Sequence, residues 1–421
     1  MKVLYVSFRI NASDGSSVHG RAFARSTASL GHQVKTYPEM RPIDVHIGRR
    51  KPANKTLWYY LRKFNFRTLK YYLGRTHGYV AEFIDFTDGV KDSVSHFVGI
   101  RRLLKTYVPD VIVCRQEIFH FAPIWIAKVY GIPCLLEVNS IRSLEAPLAD
   151  AKTRVSFITR WAERWVIRNS DGAFSVSRPI KDYVDRYIDG TKSHVIPNGV
   201  DTDEFDPQKH DRYLVKRELG LDGKTVLGYV GSYKTWHGLD ITVDIIELLG
   251  KTDSKYHLLL IGNGEVYGTI ASEILRRRLS DRVTQLPYLA HEDVALHLAA
   301  FDYALMTYPD IEGFYFSPLK MFEYLAMGVP VIATNVGQIG EIIRNGETGV
   351  LIHPPTAENF VHALVDADSD PVRVNAMRRN CRELALGQYS WAENARQVLS
   401  VCHDLIQARN KKLVSSDGRQ D

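Results

Sequence analysis

The sequence predicts an α/β protein of two domains, each built around a parallel sheet. The chain has 421 residues and a hydrophobic content of 45%, which is enough for two domains with separate cores. Short apolar runs alternate with amphipathic stretches in both halves of the chain, as βαβ units require. A segment rich in Asn, Gly, Asp and Pro, within 197–223, separates the two halves.

The predicted strands fall into two sets of six. The first set lies at 2–8, 33–37, 111–114, 134–137, 173–176 and 194–196, and the second at 225–230, 257–261, 283–286, 303–306, 331–333 and 349–352. Each set predicts a Rossmann-like domain that binds its ligand at the carboxyl ends of the strands. We place the domains at 1–200 and 201–388, a helix capped by Ser390 at 389–412, and a disordered tail at 413–421.

Composition excludes several other classes of protein. No apolar run reaches the 18 residues that a membrane helix needs, and the opening run is too short for a secretory signal. The four cysteines lack the spacing of a metal site, so we expect reduced cysteines, no metal and a cytoplasmic location. Gly262-Asn263-Gly264 lacks the third glycine of a dinucleotide site, so NAD is not expected. Asp201-Thr202-Asp203 has the Asp-x-Asp pattern of some metal sites. It lies in the linker, however, where acidic turn residues are ordinary.

The segment 312–334 carries the strongest functional signal. Ser317 is predicted to cap a helix that begins at Pro318 and ends at Gly328. Lys320 and Glu323 lie three residues apart and therefore share one helix face. The amides and dipole of a helix start suit a phosphate, and a carboxylate further along suits a sugar hydroxyl. The segment predicts a sugar-nucleotide site.

Several motifs in order resemble the GT-B glycosyltransferases, specifically glycosyltransferase family 4. They are the Gly-rich turn at 14–17, LLEVNS at 135–140, FSVS at 174–177, VIPNGVDTDEF at 195–205, YVGSYKTWHGLD at 229–240, LIGNGE at 260–265, the helix start at 317–323, and SWAENA near the end. The resemblance implies two Rossmann-like domains facing a central cleft, a nucleotide-sugar donor on the second domain and an acceptor on the first. It also implies retention of anomeric configuration, no metal, and a final helix that crosses back to the first domain.

Carried over residue by residue, the resemblance implies a donor site in which cations and amides neutralise the diphosphate. Its members are Gly15, Ser16, Gly231, Ser232, Lys234, His237, Gly262, Phe316, Ser317, Leu319 and Glu323. Glu323 is the carboxylate that would accept both ribose hydroxyls. Ser232 and His237 stand where the family often has Arg and Lys, so either Lys234 substitutes or His237 is protonated against the phosphate. The alternative for Lys234 is a solvated loop lysine that binds no phosphate. The alternative for Glu323 is an exposed helix residue that pairs with Lys320.

The family's first motif carboxylate and its histidine are both replaced here. Tyr315 stands eight residues before Glu323, where the carboxylate is expected, and Asn139 stands in the position of the histidine. We expect Asn139, Tyr315 and Lys320 at the reacting centre, with Asn139 donating a hydrogen bond to a sugar hydroxyl. The alternative for Asn139 is a plain turn residue. Without a protein base, substrate-assisted front-side displacement is the favoured mechanism.

Two features point to the acceptor. His19 and Arg21 open the helix after the first turn and are candidates for acceptor or phosphate contacts. The segment 49–79 interleaves basic and aromatic residues and has no Asp or Glu. Such a segment suits an anionic membrane surface or a polyanionic acceptor, and a hairpin with a solvated basic face is the alternative. RNA could use such a face, but no nucleic-acid-binding fold accompanies it, so we expect no nucleic acid.

The sequence therefore predicts a retaining, metal-independent glycosyltransferase that needs no cofactor. It would move a hexose-type sugar from a nucleoside-diphosphate sugar to a glycan or lipid-linked saccharide, in the cytoplasm or peripherally at the inner membrane face. The alternative is a catalytically weak nucleotide-sugar-binding subunit of a glycan-assembly complex.

Overall fold

The computed structural model describes residues 1–12, 15–41, 78–149 and 155–417. The chain divides into two compact units. The first comprises Met1–Val176, Ile180–Ile196 and Ala395–Asp421, and the second comprises Ser177–Pro179 and Pro197–Asn394. Pro197, the first residue of the predicted linker, thus begins the long segment of the second unit.

The first unit contains a six-stranded parallel sheet in the order β2-β1-β3-β4-β5-β6. Its strands are β1 Lys2–Val6, β2 Gln33–Tyr37, β3 Val111–Arg115, β4 Cys134–Val138, β5 Gly172–Ser175 and β6 Ser193–Val195. Strands β3 and β4 are buried almost throughout, because helices cover both faces of a parallel sheet. The strand order reverses between β1 and β3, so the carboxyl ends of those strands are where a ligand site is expected.

The helices of the first unit follow the strands along the chain. They are α1 Gly15–Ser29, α2 Gly78–Leu104, α3 Ala122–Tyr130, α4 Arg142–Ala149, α5 Phe157–Asn169 and α6 Arg178–Val184, whose first two residues belong to the second unit. Local signals set their ends: Ser156 accepts a hydrogen bond from the Thr159 amide (3.2 Å) at the start of α5. Gly131, at φ 61°, ends α3 in the left-handed conformation.

The second unit has its own six-stranded parallel sheet, in the order β12-β11-β10-β7-β8-β9. Its strands are β7 Thr225–Val230, β8 Tyr256–Ile261, β9 Val283–Leu286, β10 Tyr303–Met306, β11 Val331–Thr334 and β12 Gly349–Ile352. The order reverses between β7 and β10, which places a crevice at the carboxyl ends of these two strands. The prediction of two parallel α/β sheets of six strands is confirmed.

Eight helices flank the second sheet in the described part of the chain. They are α7 Arg212–Glu218, α8 Leu239–Thr252, α9 Tyr267–Arg276, α10 His291–Leu298, α11 Leu319–Ala326, α12 Gly337–Ile342, α13 Ala357–Asp368 and α14 Pro371–Gln388. The helix predicted between Ser317 and Gly328 is α11. Gly328 follows it at φ 63°, as predicted, and Val329 donates its amide to the Tyr324 carbonyl at 2.9 Å.

The last helix, α15 Trp391–Asp417, begins with the predicted Ser390 cap, which accepts from the Glu393 amide at 3.1 Å. From Ala395 onward it belongs to the first unit, where Val398 and Cys402 are fully buried in the core. The helix continues to Asp417, five residues past the helix end that we predicted at 412. Gly418 is the first residue after the cap that disfavours a helix, so no breaker stops it earlier.

Candidate functional site

The loop that leads into α11 is fixed by a residue far away in the sequence. Asn198 donates its side-chain amide to the Ser317 carbonyl at 2.8 Å and its main-chain amide to the Ser317 hydroxyl at 3.4 Å. Ser317 is therefore not the helix cap that we predicted. The helix begins one residue later, at Leu319, with Pro318 at the N-cap position. The Met321 amide donates to the Pro318 carbonyl at 3.1 Å, and the preceding amides of Leu319 and Lys320 can bind an anion.

Lys320 lies in that first turn with its ammonium buried. Its Nζ is 3.9 Å from the centre of the Tyr229 ring and has no hydrogen-bond partner among the described residues. Burial lowers the pKa of Lys320 to about 7, although the nearby Glu323 carboxylate opposes the shift. Such a group gains most from an anionic ligand, because the ligand restores the lost solvation.

Two glycines at the strand ends make room for this ammonium. Gly231, directly after β7, has φ 137°, and a Cβ there would lie 2.9 Å from Lys320 Nζ. Gly262, directly after β8, has φ 135°, and its Cβ would lie 1.9 Å from the Gly231 carbonyl oxygen. Both positions therefore require glycine, for conformation and for space. The strand-end turns meet closely beside the start of α11.

His237 is neutral in the ligand-free protein. Its Nδ1 lies 2.6 Å from the Ser232 carbonyl oxygen, which can only accept, so Nδ1 carries the proton. Burial, together with the positive charge of Lys320, lowers the pKa of His237 to about 3. The alternative in which His237 is protonated against a bound phosphate concerns the occupied site and stays a prediction.

Lys234 is already paired. Its Nζ lies 2.5 Å from a carboxylate oxygen of Glu265 and 5.5 Å from the Trp236 ring centre. Both side chains of the ion pair keep contact with solvent. Lys234 could reach a diphosphate only by exchanging Glu265 for it, so Lys320 is the better-placed cation of the two.

Glu323 lies on α11 one turn after Lys320, with 14% of its side chain exposed. Its Oε1 is 3.5 Å from Nε2 of His291, whose Nδ1 is 2.8 Å from Glu204. No local sequence pattern singles out His291, because its two partners come from separate segments. The proposed alternative in which Lys320 pairs with Glu323 by hydrogen bond is not observed among the described contacts.

Tyr315 precedes this helix start and is 1% exposed. Its carbonyl accepts from the Ser177 hydroxyl at 2.6 Å, and its ring lies against Phe316 with 4.3 Å between centres. Glu312 is exposed three residues upstream. The position of the family's first carboxylate is thus occupied by a core aromatic, and the catalytic role of Tyr315 stays a prediction.

The carboxylate of Glu137, near the end of β4 in the first unit, is buried and has four donor groups around it. Tyr5 Oη and Asn139 Nδ2 donate to it at 2.7 Å each, His19 Nδ1 lies at 2.9 Å and Arg115 Nη1 at 3.5 Å. Burial by itself would raise the pKa of Glu137, yet these neighbours lower it to about 2. Sequence reasoning did not single out Glu137. The signal that could have indicated it is an acidic residue in an otherwise apolar strand.

Asn139 belongs to this network, whereas Arg21 makes a separate set of contacts. One N–H of the Asn139 side-chain amide donates to Glu137, and its buried Oδ1 has no hydrogen-bond donor in the described part of the chain. Because an amide NH2 group carries two N–H groups, the donation to a sugar hydroxyl that we expect of Asn139 stays a prediction. Arg21 donates to the carbonyls of Ile10 and Arg41 at 2.9 and 2.7 Å, and its role on the acceptor side also stays a prediction.

The remaining predicted residues are only partly described. Gly15 begins α1, and the side chain of Ser16 and all of Asp14 lie outside the described residues. Nearly all of the basic aromatic segment lies outside them too, since 42–77 are not described. Within the described ranges, no helix is long and apolar enough to cross a bilayer, and no cluster of three His, Cys, Asp or Glu side chains forms a metal site.

Two family models match the chain. The model for Glycosyltransferase Family 4 matches residues 13–204, and the model for glycosyl transferases group 1 matches residues 224–370. The first match extends a few residues past Pro197 into the second unit, and the second match lies wholly within that unit. The chain belongs to glycosyltransferase family 4. Its two parallel sheets are those of the GT-B fold, so the predicted family and fold are both confirmed.

Relatives of this family 4 member have diverse acceptors. The D-inositol 3-phosphate glycosyltransferase of Rhodococcus jostii is 28% identical over 65% of this chain and 62% of its own length. The UDP-Gal:alpha-D-GlcNAc-diphosphoundecaprenol alpha-1,3-galactosyltransferase of Escherichia coli is 24% identical over 75% of this chain and 81% of its own. The sucrose-phosphate synthase structure from Thermosynechococcus elongatus, at 17% identity, covers 97% of this chain and 100% of its own with a TM-score of 0.68, which shows the shared fold.

Proposed function

We propose that this family 4 protein is a retaining, metal-independent glycosyltransferase that transfers a hexose from a nucleoside-diphosphate sugar. The observation that carries the proposal is the buried ammonium of Lys320 in the first turn of α11, which has no hydrogen-bond partner among the described residues. Together with the first-turn amides it would neutralise the leaving diphosphate, the task that a metal performs elsewhere. Glu323, one turn on, would accept the ribose hydroxyls.

The chemical step would run without a protein base. The bond between the sugar and the diphosphate breaks, the acceptor oxygen bonds to the same face of the anomeric carbon, and the leaving phosphate oxygen takes the acceptor proton. Tyr315 is buried and Asn139 is committed to Glu137, so neither offers a base or nucleophile. A glycosyl adduct trapped on any side chain would contradict this route.

A lipid-linked saccharide is the proposed acceptor. The name of the Escherichia coli relative includes a diphosphoundecaprenol-linked sugar, and the sequence of 49–79 has the basic and aromatic character of a membrane-contacting segment. A radiolabelled donor, incubated with the enzyme and membrane extract, should place label in the organic phase. Label found only in water-soluble glycan would reject the lipid acceptor while leaving the transferase in place.

The donor is tested by thermal unfolding against a panel of nucleoside-diphosphate sugars. At a hundredfold excess over Kd, the true donor should stabilise the protein by about 2.7 kcal/mol. Glu323→Ala should abolish that stabilisation, whereas Glu347→Ala, an exposed glutamate of the same unit, should preserve it. An unchanged shift in Glu323→Ala would remove Glu323 from the ribose role.

A donor-binding subunit with weak activity is the second candidate, favoured by the same burial of Tyr315. Nucleotide release separates the two candidates. Release that requires acceptor extract supports the transferase. Binding of a donor without release, across the whole donor and extract panel, supports the binding subunit.

A further inference from the structure

One imidazole in the second unit lies between two carboxylates from different segments. His291 is the first residue of α10. Its Nδ1 is 2.8 Å from Oε1 of Glu204, in the turn at 201–205, and its Nε2 is 3.5 Å from Oε1 of Glu323. Its ring also packs edge-on against buried Phe205, with 5.3 Å between centres.

The turn that carries Glu204 is fixed by its own hydrogen bonds. The Asp201 carboxylate accepts from the amides of Asp203 and Glu204, at 3.1 and 3.0 Å. Arg382 donates to the carbonyls of Thr202 and Phe205 at 3.0 and 2.7 Å.

Arg382 also ties that turn to the helix of Glu323. The same guanidinium donates to the carbonyl of Ala326, the last residue of α11, at 2.9 Å. One guanidinium therefore ties the turn of Glu204 to the helix of Glu323, the two segments whose carboxylates face His291.

An imidazole whose two nitrogens both face carboxylates is held as the cation, with both N–H groups donating. The contact with Glu204 and, to a smaller extent, the contact with Glu323 raise the pKa of His291 to about 10, although burial opposes the shift. In the described part of the chain, the charged groups in contact with the ring are Glu204 in the turn and Glu323 on α11. Lys320, elsewhere on α11, has a pKa of about 7 and titrates in the neutral range.

We infer that His291 is a positioning residue that holds the Glu323 carboxylate in the orientation that reads the donor ribose, with Glu204 keeping the imidazole protonated. The inference rests on the proposed donor site. At 3.5 Å the His291 contact is an ion pair longer than a strong hydrogen bond, so Glu323 keeps lone pairs for two ribose hydroxyls. His291 contributes charge and orientation and does not contact the reacting atoms.

The test compares affinities for ribonucleoside diphosphates and their 2′-deoxy analogues by calorimetry. Lys320 contacts phosphate, which both ligands share, so its titration cancels in the ribo-to-deoxy affinity ratio. In the wild type, this ratio should exceed unity and stay flat from about pH 6 to 9. In His291→Gln it should fall about tenfold, the loss expected for a charge-assisted hydrogen bond. His297→Gln, on the same helix, should keep the wild-type ratio.

Glu204→Gln supplies the decisive second measurement, since it leaves every ring of the cluster in place. Its ratio should match the wild type near pH 6 and fall as the pH rises, because the imidazole loses its proton. A flat Glu204→Gln profile, or a wild-type ratio in a folded His291→Gln protein, overturns the inference. A wild type with no ribo preference overturns it as well. A wild type that binds no nucleotide at all removes the proposed function instead.

Discussion

At the residue scale, the unusual group is a lysine ammonium removed from water before any ligand arrives. Lys320 lies over the Tyr229 ring, and a cation–π contact of this kind offsets only part of the lost hydration. Its lowered pKa records that cost. The protein is therefore less stable than it would be with an apolar side chain in the place of Lys320.

We expect Lys320→Met to stabilise the ligand-free protein and to abolish donor binding. Met keeps the apolar stem against Tyr229 and removes the buried charge, which should raise the free energy of unfolding by roughly 1–2 kcal/mol at pH 7. The folded pKa of about 7 lies below the ordinary 10.5, so the penalty is full below pH 7 and vanishes above 10.5. Urea unfolding at several pH values measures it, with exposed Lys251→Met as control. Equal stability of both variants would contradict the burial cost.

Donor binding should also take up a proton. Near pH 8 most Lys320 side chains in the empty site are neutral, and a bound diphosphate restores the charge. We expect uptake of about one proton per donor near pH 8 and much less near pH 6, measured by calorimetry in buffers of different ionisation enthalpy. Uptake that persists in Lys320→Met would assign the proton to another group.

At the element scale, the donor site depends on where strands end and α11 begins. Buried parallel strands are continuous apolar runs, so the sequence was enough to place β3, predicted at 111–114 and observed at Val111–Arg115. The start of α11 was missed by one residue, because Asn198 holds Ser317 from more than a hundred positions away. Glu137 and His291 were missed for the same reason: their roles arise from contacts between distant segments, which no local pattern reports.

Gly231→Ala should disable the donor site while leaving the fold in place. The substitution forces a side chain into φ 137° and brings its Cβ to 2.9 Å from Lys320 Nζ. We expect a loss of about 1–3 kcal/mol in stability, together with loss of donor affinity. Circular dichroism melting and calorimetry measure the two effects. Gly268→Ala is the control, since a Cβ there meets nothing within 4 Å. Full donor affinity in Gly231→Ala would show that the site tolerates the displaced lysine.

At the scale of the whole molecule, the first unit is assembled from both ends of the chain. Its core joins β1 to residues of α15, including Val398 and Cys402, which are fully buried. The first unit therefore cannot complete its core until the last helix is available.

Deletion of 395–421 should expose the core of the first unit and leave that of the second intact. Removing several fully buried apolar side chains costs an amount comparable to the whole free energy of unfolding of a domain, about 5–15 kcal/mol. We expect the intact protein to show two calorimetric transitions, one for each unit. After the deletion, the transition of the first unit should disappear or shift sharply downward, while that of the second unit persists. Deletion of 413–421 is the control and should change little. Two unaltered transitions after the long deletion would contradict the role of α15.

The stacking of Lys320 on Tyr229 also gives the donor site a built-in reporter. Because Nζ lies 3.9 Å from the centre of the Tyr229 ring, we expect the ring current to displace the magnetic resonance signal of the protons on the adjacent carbon from the ordinary lysine position. A ligand that draws the ammonium away from the ring moves this signal toward the ordinary lysine position. Occupancy of the site can thus be observed directly in solution, without turnover, a labelled sugar or knowledge of the acceptor.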